Sequence, residues 1–139
     1  MATKIRPELS IKNKYHIDKH RHYELKHFCL QYPNWKRTYA DLNAANVSLS
    51  TANKNPSGNQ TGDPTGKRAL AKARLIERIE MIEEIAKEAD RQLGDYILKA
   101  VTEGLSYTYL KSRLEIPCGK DMYYDRYRRF FWLLNKVRD

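Results

Sequence analysis

The chain has 139 residues, 41% of them hydrophobic and 31% charged, with a net charge of +9 and a sequence pI near 9.6. That is material for one domain with a modest core, and the basic balance points to a polyanionic partner. No apolar run approaches the ~20 residues that span a bilayer, and two cysteines, Cys29 and Cys118, are too few for a secreted disulfide scaffold.

Residues 1–19 are polar, with Pro7 early, and predict a basic arm, flexible or loosely docked. From His20 the pattern turns helical: Leu25, Phe28, Cys29 and Tyr32 fall at i, i+3, i+4 and i+7. Pro33 predicts the end of that helix. Asn34 predicts the cap of a second one, with Trp35, Tyr39 and Leu42 as its apolar side. The pair reads as an N-terminal helical hairpin. Residues 43–62 are rich in Asn, Ser, Thr, Gly and Ala and predict a flexible linker.

Asp63-Pro64 then opens a long central helix, a capping residue followed by proline at the first helical position. Leu75, Ile79, Ile82, Ala86 and Ala89 give it an apolar stripe that suits packing on another helix. The helix over 67–90 can find that partner in its own chain or in a second copy, as a homodimer. A break near Gly94 precedes a short helix capped by Asp95 and stopped at Gly104. Ser106 caps a further helix over 107–113, Pro117 and Gly119 make a turn, and a last helix runs from Lys120 to about Lys136. No run reads as a strand. The expected class is all-α, with an arm and hairpin over 1–42, a linker over 43–62, and a long helix plus helix-turn-helix over 63–139.

Charge is unevenly placed. Residues 1–42 carry +5 and residues 105–139 carry +4, while 63–104 are close to neutral. Basic ends suit phosphate contacts and a balanced middle suits packing. In the last helix Tyr123, Tyr127, Phe130, Leu134 and Val137 form the expected core stripe. The other side presents Lys120, Asp121, Tyr124 and Arg128, the candidates for contact with base edges, with Asp125 and Trp132 beside them. Lys111, Arg113, Arg126 and Arg129 are placed for phosphates. Two features depart from the usual helix-turn-helix pattern. Lys111 stands where a small residue is common, and Glu115 where glycine is common. The turn is also one or two residues longer than the tightest version.

The segment Ile116-Pro117-Cys118-Gly119-Lys120-Asp121-Met122-Tyr123-Tyr124-Asp125-Arg126-Tyr127-Arg128-Arg129-Phe130-Phe131 resembles the ends of phage late-gene regulators of the RinA/ArpU type. Those proteins carry a sigma-factor-like helix-turn-helix with an IP-x-[SG]-K-x-x-[FY]-Y run. The resemblance implies a phage or prophage transcription regulator acting in the bacterial cytoplasm, double-stranded DNA as partner, and contact with host RNA polymerase. Residues 120–128 would then read the major groove. Two other functions fit the same outline: a small terminase subunit or assembly protein recognising packaging DNA, and a protein-binding inhibitor of a host nucleic-acid enzyme.

Other signals lack support. His16, His20, His22, His27 and Cys29 are zinc-type ligands, but their spacing matches no common finger. Gly62-Asp63-Pro64-Thr65-Gly66-Lys67-Arg68 fails as a phosphate loop, since Thr61 stands where the first glycine belongs and Arg68 where a Ser or Thr would hold magnesium. No nucleophile and base are arranged for catalysis, so neither an enzyme, a metal nor a cofactor is expected.

Overall fold

The computed structural model describes residues 12–52 and 64–139. Every regular element among them is a helix: α1 (Lys19–Leu30), α2 (Tyr32–Ala52), α3 (Pro64–Ala89), α4 (Gly94–Glu103), α5 (Tyr107–Arg113) and α6 (Lys120–Val137). The protein is therefore all-α. No helix among the described residues is long and apolar enough to cross a membrane. Residues 1–11 of the expected arm and 53–63, which hold the later part of the expected linker, lie outside the described residues.

The backbone forms two compact units. One is Tyr32–Glu80; the other joins the chain up to Gln31 with Met81–Asp139. In the first of these, α2 and the opening half of α3 run antiparallel. The Arg78 guanidinium lies over the Trp35 ring at 5.7 Å and the Lys72 ammonium over Tyr39 at 5.8 Å, so partners step backward along α3 as they step forward along α2. Pro33 does not end a helix as expected. It sits in the first turn of α2, where a missing N–H forfeits no intrahelical bond. Nor does a linker begin at 43, because α2 continues to Ala52. Asn, Ser and Thr cost a helix only about 0.5 kcal/mol each relative to alanine, and Ala44, Ala45, Leu49 and Ala52 lie among them.

In the other unit α1 packs on α4 and α6, and α4 also meets α5 and α6. The buried faces are His22, Leu25, Phe28 and Cys29 of α1, Ile97, Ala100 and Val101 of α4, Leu110 of α5, and Tyr123, Phe130, Phe131 and Leu134 of α6. Each buried Leu, Ile or Phe stabilises by roughly 1.5–3 kcal/mol. The α6 stripe differs from expectation at three positions. Val137 is 52% exposed and Tyr127 only half-buried, while Phe131 is buried. The cause is α1, whose His22 ring stands edge-on to Phe131 at 4.7 Å and turns the buried face of α6 toward it. Ile79, Ile82, Ile85, Ala86 and Ala89 of α3 are likewise buried within the single chain, while Leu70 nearer the start of that helix is 53% exposed.

The joint between α3 and α4 is made by Asp90, not by Asp95. One Asp90 carboxylate oxygen accepts from the backbone N–H of Gln92 (2.8 Å) and of Leu93 (2.9 Å), while Asp95 lies inside the first turn of α4. Gly94 is needed next to it. A Cβ there would stand 3.1 Å from the Ala86 carbonyl oxygen, closer than packed backbone readily allows. Gly104 ends α4 in the left-handed region (φ 71°), and the Leu105 N–H reaches back to the Ala100 carbonyl at 3.1 Å.

Candidate nucleic-acid interface

α5 starts on Ser106, whose hydroxyl accepts from the Tyr109 N–H at 3.1 Å. It ends in a turn over 114–119 with well-defined ties. The Leu110 carbonyl accepts from both Leu114 N–H (3.2 Å) and Ile116 N–H (3.1 Å), and Ile116 is buried. The Tyr107 hydroxyl donates to the Cys118 carbonyl at 2.7 Å, and its ring packs on Tyr123 at 5.4 Å. These bonds fix where α6 begins. Gly119 precedes α6 with no side-chain cap, so the first-turn N–H groups meet no acceptor from it.

Glu115 takes φ 54° in this turn, the only non-glycine among the described residues with positive φ. It stands at the position where glycine is common, and the strain costs about 1 kcal/mol. Glu115→Gly is therefore expected to stabilise the chain by no more than about 0.5 kcal/mol once the greater freedom of unfolded glycine is deducted, read as a rise of at most about 2 °C in thermal midpoint.

The sequence-predicted residues separate into three groups. Lys111, Arg113, Lys120 and Asp121 are exposed around the turn and the first turn of α6. None of these four joins an ion pair among the described residues; Lys111 makes only a long 3.5 Å contact to the Ile116 carbonyl. Tyr124, Arg128 and Arg129 are half-buried. Tyr124 belongs to a tyrosine cluster, with Tyr123 at 5.1 Å, Tyr127 at 6.2 Å and Tyr107 at 6.5 Å, which holds its ring beside the core. Arg128 has its Nε buried without a hydrogen-bond partner.

Arg126 is set apart from the phosphate-facing group where spacing placed it. Its Nε donates to the second Asp90 oxygen at 2.9 Å and one terminal nitrogen donates to Asp125 at 2.6 Å. Burial pushes the Asp90 carboxyl upward, but the Leu93 N–H, the Arg126 guanidinium and the Gln92 N–H outweigh it and hold the group below its ordinary value. Asp90 thus caps the approach to α4 and fastens α6 at once. The sequence signal for the first role is an acid shortly before a buried Leu-Gly pair; the second spans 36 residues and has no local signal.

Residues 12–18 are docked, with Ile17 buried and Tyr15 against Trp132 at 5.4 Å between ring centroids. Trp132, read as outward-facing, is therefore covered. Met122, which the sequence reading passed over, is 44% exposed in the first turn of α6.

Burial pushes the thiols of Cys29 and Cys118 up, and burial together with Tyr127, Tyr124 and Cys118 does the same to the Tyr123 hydroxyl. His20 and His27 point outward while His22 and Cys29 are buried, and among the described residues no three His, Cys, Asp or Glu side chains gather as a metal site would need. The chain matches no protein-family model, no curated protein and no solved structure.

Proposed function

We propose that the chain is a DNA-binding transcription regulator of phage type, in which α5, the 114–119 turn and α6 act as a helix-turn-helix. One observation carries the reading: Lys111, Arg113 and Lys120 are exposed and, among the described residues, outside any ion pair around an α6 N-terminus with no side-chain cap. A recognition helix enters the major groove by its N-terminal turns, and cations beside it meet the flanking phosphates. Lys120 and Asp121 are the base-edge candidates in this reading, Lys to guanine and Asp to the cytosine amine. Lys111 and Arg113 set the register. Arg126 serves the fold instead, and Tyr124 and Arg128 line the side of the site. The resemblance of residues 116–131 to the RinA/ArpU type supports the regulatory role and contact with host RNA polymerase.

Selection of bound duplexes from a random pool tests this. The reading expects one enriched site, bound at least ~10³-fold tighter than bulk DNA at physiological salt. Enrichment of no site would remove the regulator. A ring-shaped oligomer bound to one site would transfer the function to DNA packaging.

A further inference from the structure

The segment preceding α1 is built as a fixed element. The Asn13 side-chain carbonyl accepts from the Tyr15 N–H at 2.8 Å, and the His16 N–H donates to the Asn13 carbonyl at 3.0 Å, closing a tight turn. Ile17 anchors the far end in the core, and Asp18 accepts from the His20 N–H to start α1. Between these anchors Tyr15 reaches across to α6 and packs on Trp132, the two rings tilted by 59°. The Lys136 ammonium sits 3.4 Å from the Trp132 ring centre, and Lys14 stands 5.0 Å from that of Tyr15. Four side chains therefore form one ladder in the order Lys14, Tyr15, Trp132, Lys136.

The ladder does not suit stacking of nucleic-acid bases. Trp132 already has Lys136 against one face and Tyr15 beside it, and Tyr15 has Lys14 nearby. It suits fastening. Trp132 lies twelve residues beyond Lys120, which at 1.5 Å per residue is about 18 Å along the helix. Tyr15 meets Trp132 there, so the segment crosses α6 in its later turns. At the start of the helix Lys120, Asp121 and Met122 are exposed. Lys12 and Lys14 are exposed on the crossing segment, and Lys136 is exposed beneath it.

We infer that residues 12–18 are a second DNA-backbone contact, fastened to α6 by Tyr15 on Trp132 so that Lys12 and Lys14 meet phosphates beyond the stretch entered by the first turns of α6. The inference rests on the DNA-binding reading given above. It adds a surface that the helix-turn-helix outline does not contain, and it assigns the Tyr15–Trp132 contact a positioning role. The partner chemistry is the phosphate backbone of a duplex, without base selectivity.

The test uses the full chain and fluorescence anisotropy with a ~30-base-pair duplex of mixed sequence over a salt series. Lys12→Ala with Lys14→Ala is expected to weaken binding about tenfold and to lower the slope of log affinity against log salt by about 2, since each lost phosphate contact removes about 0.9. Tyr15→Ala keeps both lysines but frees the segment, and is expected to weaken binding several-fold. Tyr15→Phe keeps the ring and is expected to restore wild-type binding. The inference is overturned if the double lysine variant keeps the wild-type affinity and slope while Lys111→Ala with Arg113→Ala weakens binding. It is equally overturned if Tyr15→Ala binds as tightly as wild type. A wild-type chain that binds no duplex at low salt overturns the DNA-binding reading itself, and the arm contact with it.

Discussion

Replacing Lys111, Arg113 and Lys120 together with alanine is expected to weaken duplex binding about 100-fold at ~0.1 M salt, and to lower the salt slope by nearly 3. All three side chains are exposed and outside ion pairs among the described residues, and Lys111 gives up only its long contact to the Ile116 carbonyl, so the fold should hold. Circular dichroism and the thermal midpoint should therefore match wild type while affinity falls. Arg126→Ala is the informative contrast. Its guanidinium is held by Asp90 and Asp125, so its loss should cost stability and leave the salt slope unchanged. A triple variant that binds normally would show that the turn and the start of α6 do not meet DNA.

The second large effect concerns Asp90. Its side chain is 13% exposed and makes two backbone hydrogen bonds and one ion pair. Asp90→Ala removes a cap worth about 1 kcal/mol and leaves Arg126 without its better-buried partner, for a total loss of about 2–3 kcal/mol in urea unfolding. Asp90→Asn keeps an oxygen for the two N–H groups and should cost about 1 kcal/mol. The two variants also separate by pH. The folded carboxyl is held below its ordinary value of 3.8, so its stabilising contribution is fully present above that value. The contribution is lost as pH falls through the lowered folded value. Below pH 3.8 wild type should therefore lose its stability margin over Asp90→Asn. Parallel acid unfolding of the two chains would show that the carboxylate contributes no more than an amide.

Local signals carried the course of the later chain well. Pro64, Gly104, Ser106 and Gly119 act within one turn of their own position, through fixed φ, tolerance of positive φ or a capping hydroxyl, and the helices α3 to α6 begin and end beside them. The single chemical surprise there is Glu115, which takes a left-handed conformation between Leu114 and Ile116, whose N–H groups both bond the Leu110 carbonyl. What sequence could not convey was long-range. Nothing in the spacing of α1 shows that it lies on α6, so periodicity alone places Val137 in the core and leaves Phe131 out of it. Composition misled at 43–52, where mild helix penalties were read as a linker. Among the site residues, Lys111, Arg113, Lys120 and Asp121 are exposed, while Tyr124 and Arg128 of the same expected face are half-buried. Arg126 occupied a plausible phosphate position by spacing alone and was claimed by an acid from the end of α3. The arm's lock on Trp132 joins residues more than a hundred positions apart and has no local signature.

The central claim is that the first turns of α6 enter the major groove, and methylation protection on the selected duplex addresses it directly. Guanine N7 lies in the major groove and adenine N3 in the minor, so one reagent reports both. The structure-based account predicts protection of guanine N7 within the bound site, with that protection lost in the Lys120→Ala chain. Protection confined to adenine N3, or none at either position under saturating protein, would contradict it.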